Sequence, residues 1–494
     1  MRHVTFQGLT FAYDNYTVPG AGHPGRELEI DIAPTLSFQN SQYITFDSGT
    51  LEHISGAGLE ILSCLPADPQ KSPPFNRPPA WCVDVDTNAV TANNVVRNSR
   101  FYDIGALGMR IGDPWVPAET DGNIPQLTTV ENNVVEGYGR TIPAAFGIGQ
   151  GMGHDNLYTH NDVYDGYHCA ISLTESSGNT PPNPVEGQPL IGNGNNTISF
   201  NHVYNLLQGI MSDGGAIRIE AGNATFTAKG NKILNNKIHD VSDASSFFEG
   251  ASGYGGNGIY LDNSTGLVDV ENNLVYRVSD TAVYSPHGPA QEQEANKVKN
   301  NILAFARQAM IGVNFPYNDG ETNPNKAFTV SNNLMVFDRD STSPGQSFYV
   351  QGQCTDINTL AAYTDFQKFT RNLYWRTDGT FASDPNAFYQ QVVPADNVPN
   401  PPCAHDPTQN SGLYTFYSFA QWQGIGEDAG SVVENPHFLF PFFPFDDFWM
   451  PFGSPLPGFV PFNPNEAGRK FTAADAPPVA PTFMTAPFNP RTDF

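Results

Sequence analysis

The chain carries 50 Asp plus Glu against 24 Lys plus Arg over 494 residues, a formal net charge of −26. A balance this acidic repels phosphate backbones and leaves no basic stripe, which argues against nucleic acid as a partner. Membrane association is not expected either, because the most apolar run, Phe438-Leu439-Phe440-Pro441-Phe442-Phe443, is far below spanning length and is broken by proline.

Taken in order, the chain opens on a strand-like stretch, Val4-Thr5-Phe6-Gln7-Gly8-Leu9-Thr10-Phe11. It shows none of the charged and apolar regions of a secretory signal, so an upstream portion is left open. Residues 1–90 read as early coils with long loops, notably Asp14 to Ile32 and the Pro-rich Leu65 to Pro79. Residues 91–376 repeat a short phrase with changing side chains: Asn93-Asn94-Val95-Val96, Asn132-Asn133-Val134-Val135, Asn235-Asn236-Lys237-Ile238, Asn272-Asn273-Leu274-Val275, Asn300-Asn301-Ile302-Leu303 and Asn332-Asn333-Leu334-Met335. Variants such as His160-Asn161-Asp162-Val163 and Asn201-His202-Val203-Tyr204 fill the gaps, at roughly 28 to 41 residues per unit. From 377 to 494 the repeat fades into Pro- and Phe-rich sequence. This reads as an irregular cap, with Ala473 to Phe494 an extended tail wrapping back over the coils.

One unit holds two or three short strands of β-branched and aromatic residues, too little for a core of its own. Stacking lets every strand pair with its equivalent above and below. Asn at a fixed place suits a turn, since it tolerates left-handed backbone and its amide can bond the same amide one coil away, about 4.8 Å on. Helical solenoids are disfavoured by the lack of sustained 3.6-residue periodicity and by frequent Gly and Pro. The expected fold is an all-β, right-handed parallel β-helix solenoid with long loops.

Composition fits a secreted, carbohydrate-facing protein. Sequons at Asn15, Asn195, Asn223 and Asn263 are glycan acceptors if the chain passes through a eukaryotic secretory route. Five cysteines show no CxxC or zinc spacing. Cys64 with Cys82 and Cys354 with Cys403 are candidate disulfides, leaving Cys169 free. No cofactor and no metal are expected, and the chain is expected to act as a monomer on a polysaccharide or oligosaccharide.

Two coils differ from the rest by being Gly-rich and carboxylate-bearing: Ser212-Asp213-Gly214-Gly215-Ala216-Ile217-Arg218-Ile219-Glu220 and Gly256-Asn257-Gly258-Ile259-Tyr260-Leu261-Asp262. Matching Ala216-Ile217 to Gly258-Ile259 puts Glu220 in register with Asp262, with Asp213 at the other end of its strand. Like charges one coil apart raise one pKa and supply an acid and a base, as glycosidic cleavage requires. Asp and Glu also cap amides at β-helix corners, so periodicity alone does not select among them. His160, His202 and His287 fall on successive turns where imidazole can bond sugar hydroxyls, although His can also replace Asn in a turn ladder. Tyr260 can stack on a sugar face, and Arg218 can bind a substrate carboxylate or simply pair with Glu220.

These strings, together with Gly105-Ala106-Leu107-Gly108-Met109-Arg110-Ile111-Gly112, the stretch from Gly147 to Asp165, Val270-Glu271-Asn272-Asn273 and His287-Gly288, resemble glycoside hydrolase family 141. So do Gly8-Leu9-Thr10-Phe11 and Asn435-Pro436-His437-Phe438. The resemblance implies a right-handed β-helix with α-L-fucosidase or xylanase activity and two catalytic Asp residues, which on the matching motifs are Asp213 and Asp262. The chain departs from that pattern after Ala216-Ile217, where Arg218, Ile219 and Glu220 replace the usual Tyr-Thr and Gly. Glu220 is therefore an alternative partner for Asp262. A polysaccharide lyase or epimerase acting on uronic acid polymers shares the fold, but it uses a Lys or Arg base and often calcium, and no regular calcium-binding nonapeptide is present. A non-catalytic carbohydrate-binding β-helix is the third reading.

Overall fold

The computed structural model describes residues 1–20, 22, 32–66, 81–113, 123–174, 193–220, 230–243, 255–262, 265–286, 295–314, 328–338, 347–352, 367–391 and 414–470. They form three long sheets of 11, 12 and 12 strands, parallel except for the last strand of the third, in which successive coils hydrogen-bond strand to equivalent strand. This is a right-handed parallel β-helix. The chain visits the first, second and third sheet in turn, as in Val95–Arg97, Arg100–Ile104 and Met109–Ile111. Inward side chains stack in columns one rung apart: Leu59, Met109, Ile148, Ile171, Ile217, Ile259, Val283 and Ile311 share one column of the third sheet and are fully or almost fully buried. A lone coil would leave such a face in water; stacking removes it.

The corner between first and second sheets takes two residues in coil after coil. The first adopts left-handed backbone, as at Asn132, His160, Asn235 and Asn272, with φ of 57°, 54°, 56° and 59°. The second is an asparagine in Asn133, Asn161, Asn201, Asn236, Asn273, Asn301, Asn333 and Asn372. Each of these amides donates to the next side-chain oxygen at 3.0–3.1 Å. From Asn133 to Asn333 each backbone N–H donates to that same oxygen, and the Asn372 N–H donates to Ser431 Oγ, so these buried polar groups are satisfied without water. The Asn93-Asn94 phrase belongs to a different corner, where the chain enters the first sheet. There Asn156, Asn196 and Asn231 form a second, shorter ladder. Both corners ask for the same left-handed residue followed by the same buried amide, so the two phrases read alike.

After the regular coils, strand Phe388–Gln391 extends the third sheet and pairs antiparallel with Tyr414–Tyr417. The helix Phe419–Gly424, begun by a Ser418/Gln421 capping box, drops Trp422 onto the end of the core. That indole is fully buried, stacked on Phe388 at 4.8 Å and edge-on to Phe369. Residues 434–470 then run back along the coils. Arg277 forms an ion pair with Asp446, Asn332 donates to the Gly458 carbonyl at 3.2 Å, and Gly468 N–H donates to the Phe200 carbonyl at 2.8 Å. The stretch expected to wrap back, Ala473 to Phe494, lies outside the described residues. Cys64 and Cys82 form a disulfide, and Cys169 is buried with its sulfur accepting from the Gly215 N–H at 3.5 Å; Cys354 and Cys403 lie outside the described residues.

The long connections cluster. They leave the third sheet, as between Thr174 and Thr197 or Glu220 and Lys232, or enter it, as between Val241 and Asn257.

Candidate active site

Strands Gly215–Glu220 and Asn257–Asp262 are neighbours in the third sheet, with Arg218 opposite Tyr260 and Glu220 opposite Asp262. The period-2 alternation of a strand sends Ile217, Ile219, Ile259 and Leu261 into the core and puts Arg218, Glu220, Tyr260 and Asp262 on the outer face. Arg218 joins the two acids. Its Nη2 lies 2.7 Å from Glu220 Oε2 and 2.7 Å from Asp262 Oδ2, and its Nε donates to the same Asp262 oxygen at 3.1 Å. Arg218, Glu220 and Asp262 are only 6%, 4% and 6% exposed. Two buried carboxylates thus share one guanidinium, Asp262 through charge-assisted hydrogen bonds and Glu220 through its ion pair. Thr265 reinforces the far end, its hydroxyl donating to the Asp262 and Ile219 carbonyls.

Asp213 lies at the exposed end of this cluster. The Tyr260 hydroxyl donates to Asp213 Oδ1 at 2.9 Å, and the Arg218 guanidinium sits 6.0 Å from the Tyr260 ring centre. Gly215 makes this crossing feasible, since a Cβ there would come within 2.8 Å of Tyr260 Cβ. Burial pushes the Tyr260 phenol well above its ordinary range, with the Asp262 and Asp213 charges adding to it, so the hydroxyl stays a donor. Asp213 itself has left-handed backbone, φ 58°, outside the columns where corner residues recur. Gly255, with φ 119°, packs against the backbone of Asp213 and Gly214, where a Cβ would approach to 2.5 Å. The segment around Asp213 is therefore tightly seated although its side chain is in water.

Two further groups at this end escaped the sequence reading. His168 sits beneath Asp213 with Nδ1 3.0 Å from the Ala144 carbonyl and Nε2 3.4 Å from the Asp213 carbonyl, its ring stacked on Phe146. Burial, then the Arg218 charge, lower its pKa to about 4, so the imidazole is neutral at pH 7 and can donate to only one of those carbonyls. Asp280 accepts from Gly255 N–H at 3.2 Å and from the Thr281 hydroxyl at 3.0 Å; burial raises it to about 7. Aligning the coils at the turn before the third sheet would have brought both beside Asp213. Their residue types recur at ordinary corners, and that masked them.

Of the predicted histidines, His160 and His202 do not join the cluster. His160 is the left-handed corner residue between first and second sheets, stacked on Phe200 at 5.0 Å. His202 opens strand His202–Leu206 of the second sheet, its Nε2 2.9 Å from His239 Nε2. The turn that carries the repeat phrase faces away from the third sheet, which is why residues of that phrase cannot line the acids. His287 lies outside the described residues.

No family model and no curated protein matches the chain. Among solved structures, similarity extends to a glycoside hydrolase at 15% identity and TM-score 0.35, covering 51% of this chain and 36% of that one. A tailspike protein of E. coli bacteriophage HK620 in complex with a pentasaccharide aligns at 10% identity and TM-score 0.45, over 80% and 58% of the two chains. A mannuronic acid specific family 6 polysaccharide lyase from human gut microbiota aligns at 11% identity and TM-score 0.27, over 83% and 93%. The chain thus spans about a third to three fifths of the length of the first two. Identities and scores this low transfer no activity.

Proposed function

We propose that this chain is a secreted glycoside hydrolase acting on plant cell-wall or related polysaccharide, in the manner of the family 141 α-L-fucosidases and xylanases that its motifs resemble. The observation that carries the reading is the shared guanidinium: Arg218 holds Asp262 and Glu220 on one face of one sheet, with Asp213 reached through Tyr260. Two carboxyl groups this close supply a site at which one can carry a proton. That proton can be delivered to a leaving glycosidic oxygen and later recovered, as acid and base catalysis needs. The two Arg-bound oxygens lie within about 5.4 Å of each other, twice the 2.7 Å to their common nitrogen. That limit favours the close spacing of about 5–5.5 Å seen in retaining enzymes over the 6.5–9.5 Å of inverting ones. Asp262 then acts as nucleophile, Glu220 as its acid/base partner, and Asp213 with Tyr260 grips a sugar hydroxyl at the mouth.

A lyase is disfavoured by the same cluster. Arginine stays protonated in proteins, and here it is already neutralised by two carboxylates, so it is poorly placed to act as base or to bind a uronate. The test is a panel of fucosides, xylans and pectic fragments assayed for new reducing ends and for ultraviolet-absorbing unsaturated products, with Asp262→Asn alongside. Hydrolysis with retained anomeric configuration, lost in the variant, is expected. Unsaturated products, or turnover unchanged in Asp262→Asn, overturn the reading. Secretion fits the exposed sequon at Asn15 and is checked by glycosidase treatment of the native protein.

A further inference from the structure

The segment running back over the second sheet is apolar on both sides. Its inner side, with Phe448, Met450, Leu456 and Phe459, packs onto Leu274, Tyr276, Ile302 and Phe305. Its outer side leaves Phe440, Phe442, Phe443, Phe445, Trp449 and Phe452 exposed by 57%, 41%, 54%, 71%, 62% and 89%. These rings belong to one folded unit. Leu439 N–H donates to the Trp449 carbonyl at 2.9 Å, Phe440 N–H to the Asp447 carbonyl at 3.1 Å, and Phe445 N–H to the Phe442 carbonyl at 3.0 Å. Phe440 and Phe445 also touch, with centroids 5.6 Å apart.

At about 200 Å² for a fully exposed aromatic side chain, the six rings leave roughly 750 Å² of apolar surface in water. The largest patch on a typical monomer is about 300–600 Å². Each partner in a standard protein interface buries about 800 Å². Area alone therefore matches half of a stable dimer contact.

Charge identifies the occupant. At −26 overall, two copies of this chain repel one another across most of their surfaces, and an anionic lipid surface is repelled too. Between Phe438 and Phe462 the sequence has only Asp446 and Asp447 as charged residues, and Asp446 is tied to Arg277, which also binds Asp240. This is the face on which like copies meet with least repulsion, and a twofold axis lets the same patch serve both sides. We propose that the Phe440–Phe452 hairpin is a homodimer interface whose occupant is a second copy of this chain, in place of the monomer expected from the sequence alone.

Sedimentation velocity on the full chain, from low to high micromolar, tests this. A dimer is expected, and Trp449→Asp combined with Phe452→Asp should weaken it by about 100-fold or more, as loss of two central aromatic anchors does. Both side chains are exposed, so unchanged circular dichroism and melting are expected. Should the double variant misfold, Trp449→Ser alone is run in its place. A chain that stays monomeric throughout overturns the proposal, as does a dimer indifferent to these substitutions. A monomer retarded by neutral polysaccharide in affinity gels, with retardation lost in the variant, would assign the patch to sugar and overturn it. Cosedimentation of the monomer with phosphatidylcholine vesicles would overturn it in favour of lipid.

Discussion

Two buried arginines occupy the same outer column of the third sheet, three rungs apart, and they are built differently. Arg110 faces Glu60, which is wholly buried and accepts from Arg110 Nε at 2.9 Å, from the Ser37 hydroxyl at 2.8 Å and from Trp81 Nε1 at 3.1 Å, with Trp81 also lying against the guanidinium. Three donors close around one carboxylate. Arg218 instead holds two acids and has a tyrosine, an exposed aspartate and a neutral imidazole alongside. The first arrangement closes donors around a single carboxylate; the second gathers several ionisable groups at the end of one strand pair, the clustering that functional sites show.

The sharpest way to break that comparison is activity. Asp262→Asn should lower kcat/KM by about 10³-fold, roughly 4 kcal/mol of transition-state stabilisation, while Glu60→Gln leaves turnover within about twofold. Equal effects in both would erase the distinction. Stability should move the other way: Arg110→Met strands Glu60 in a dry site and is expected to cost about 3–5 kcal/mol in chemical denaturation with the activity of the remaining folded enzyme intact.

Asp280 adds a pH signature at the Asp213 end alone. Its folded pKa of about 7 lies above the ordinary value of 3.8, so the stability linked to its neutral form is complete below about pH 4 and is lost as pH rises through about 7. Asp280→Asn should flatten the melting profile between those limits, a difference of about a degree or two by calorimetry. An unchanged profile would show that the carboxyl is not held neutral. The smallest effect expected is from Tyr260→Phe, about 5- to 10-fold in KM or roughly 1 kcal/mol, with kcat little changed, because it removes one hydrogen bond to Asp213.

Much of this was legible in the chain. The Asn phrases announced stacked corners, and matching Ala216-Ile217 to Gly258-Ile259 placed Glu220 opposite Asp262 in the register observed. The same phrases misled where two corners share one requirement, as at Asn93-Asn94. They also drew His160 and His202 toward the acids, which lie on another sheet. His168 and Asp280 were missed because their significance depends on what surrounds them: one imidazole between two carbonyls, one carboxyl raised by burial. The exposed Phe-rich hairpin was read as a cap, since a run of apolar residues does not say which of them turn outward.

By itself the sequence determined the solenoid, because period-2 strands and left-handed corner residues are local requirements that recur every coil and leave one way to bury so many short apolar stretches. Only the tertiary structure decided which acids share Arg218 and which rings of the returning segment stay in water. Those depend on distances between residues some 40 positions or more apart, and such distances are set by stacking geometry that no single coil encodes.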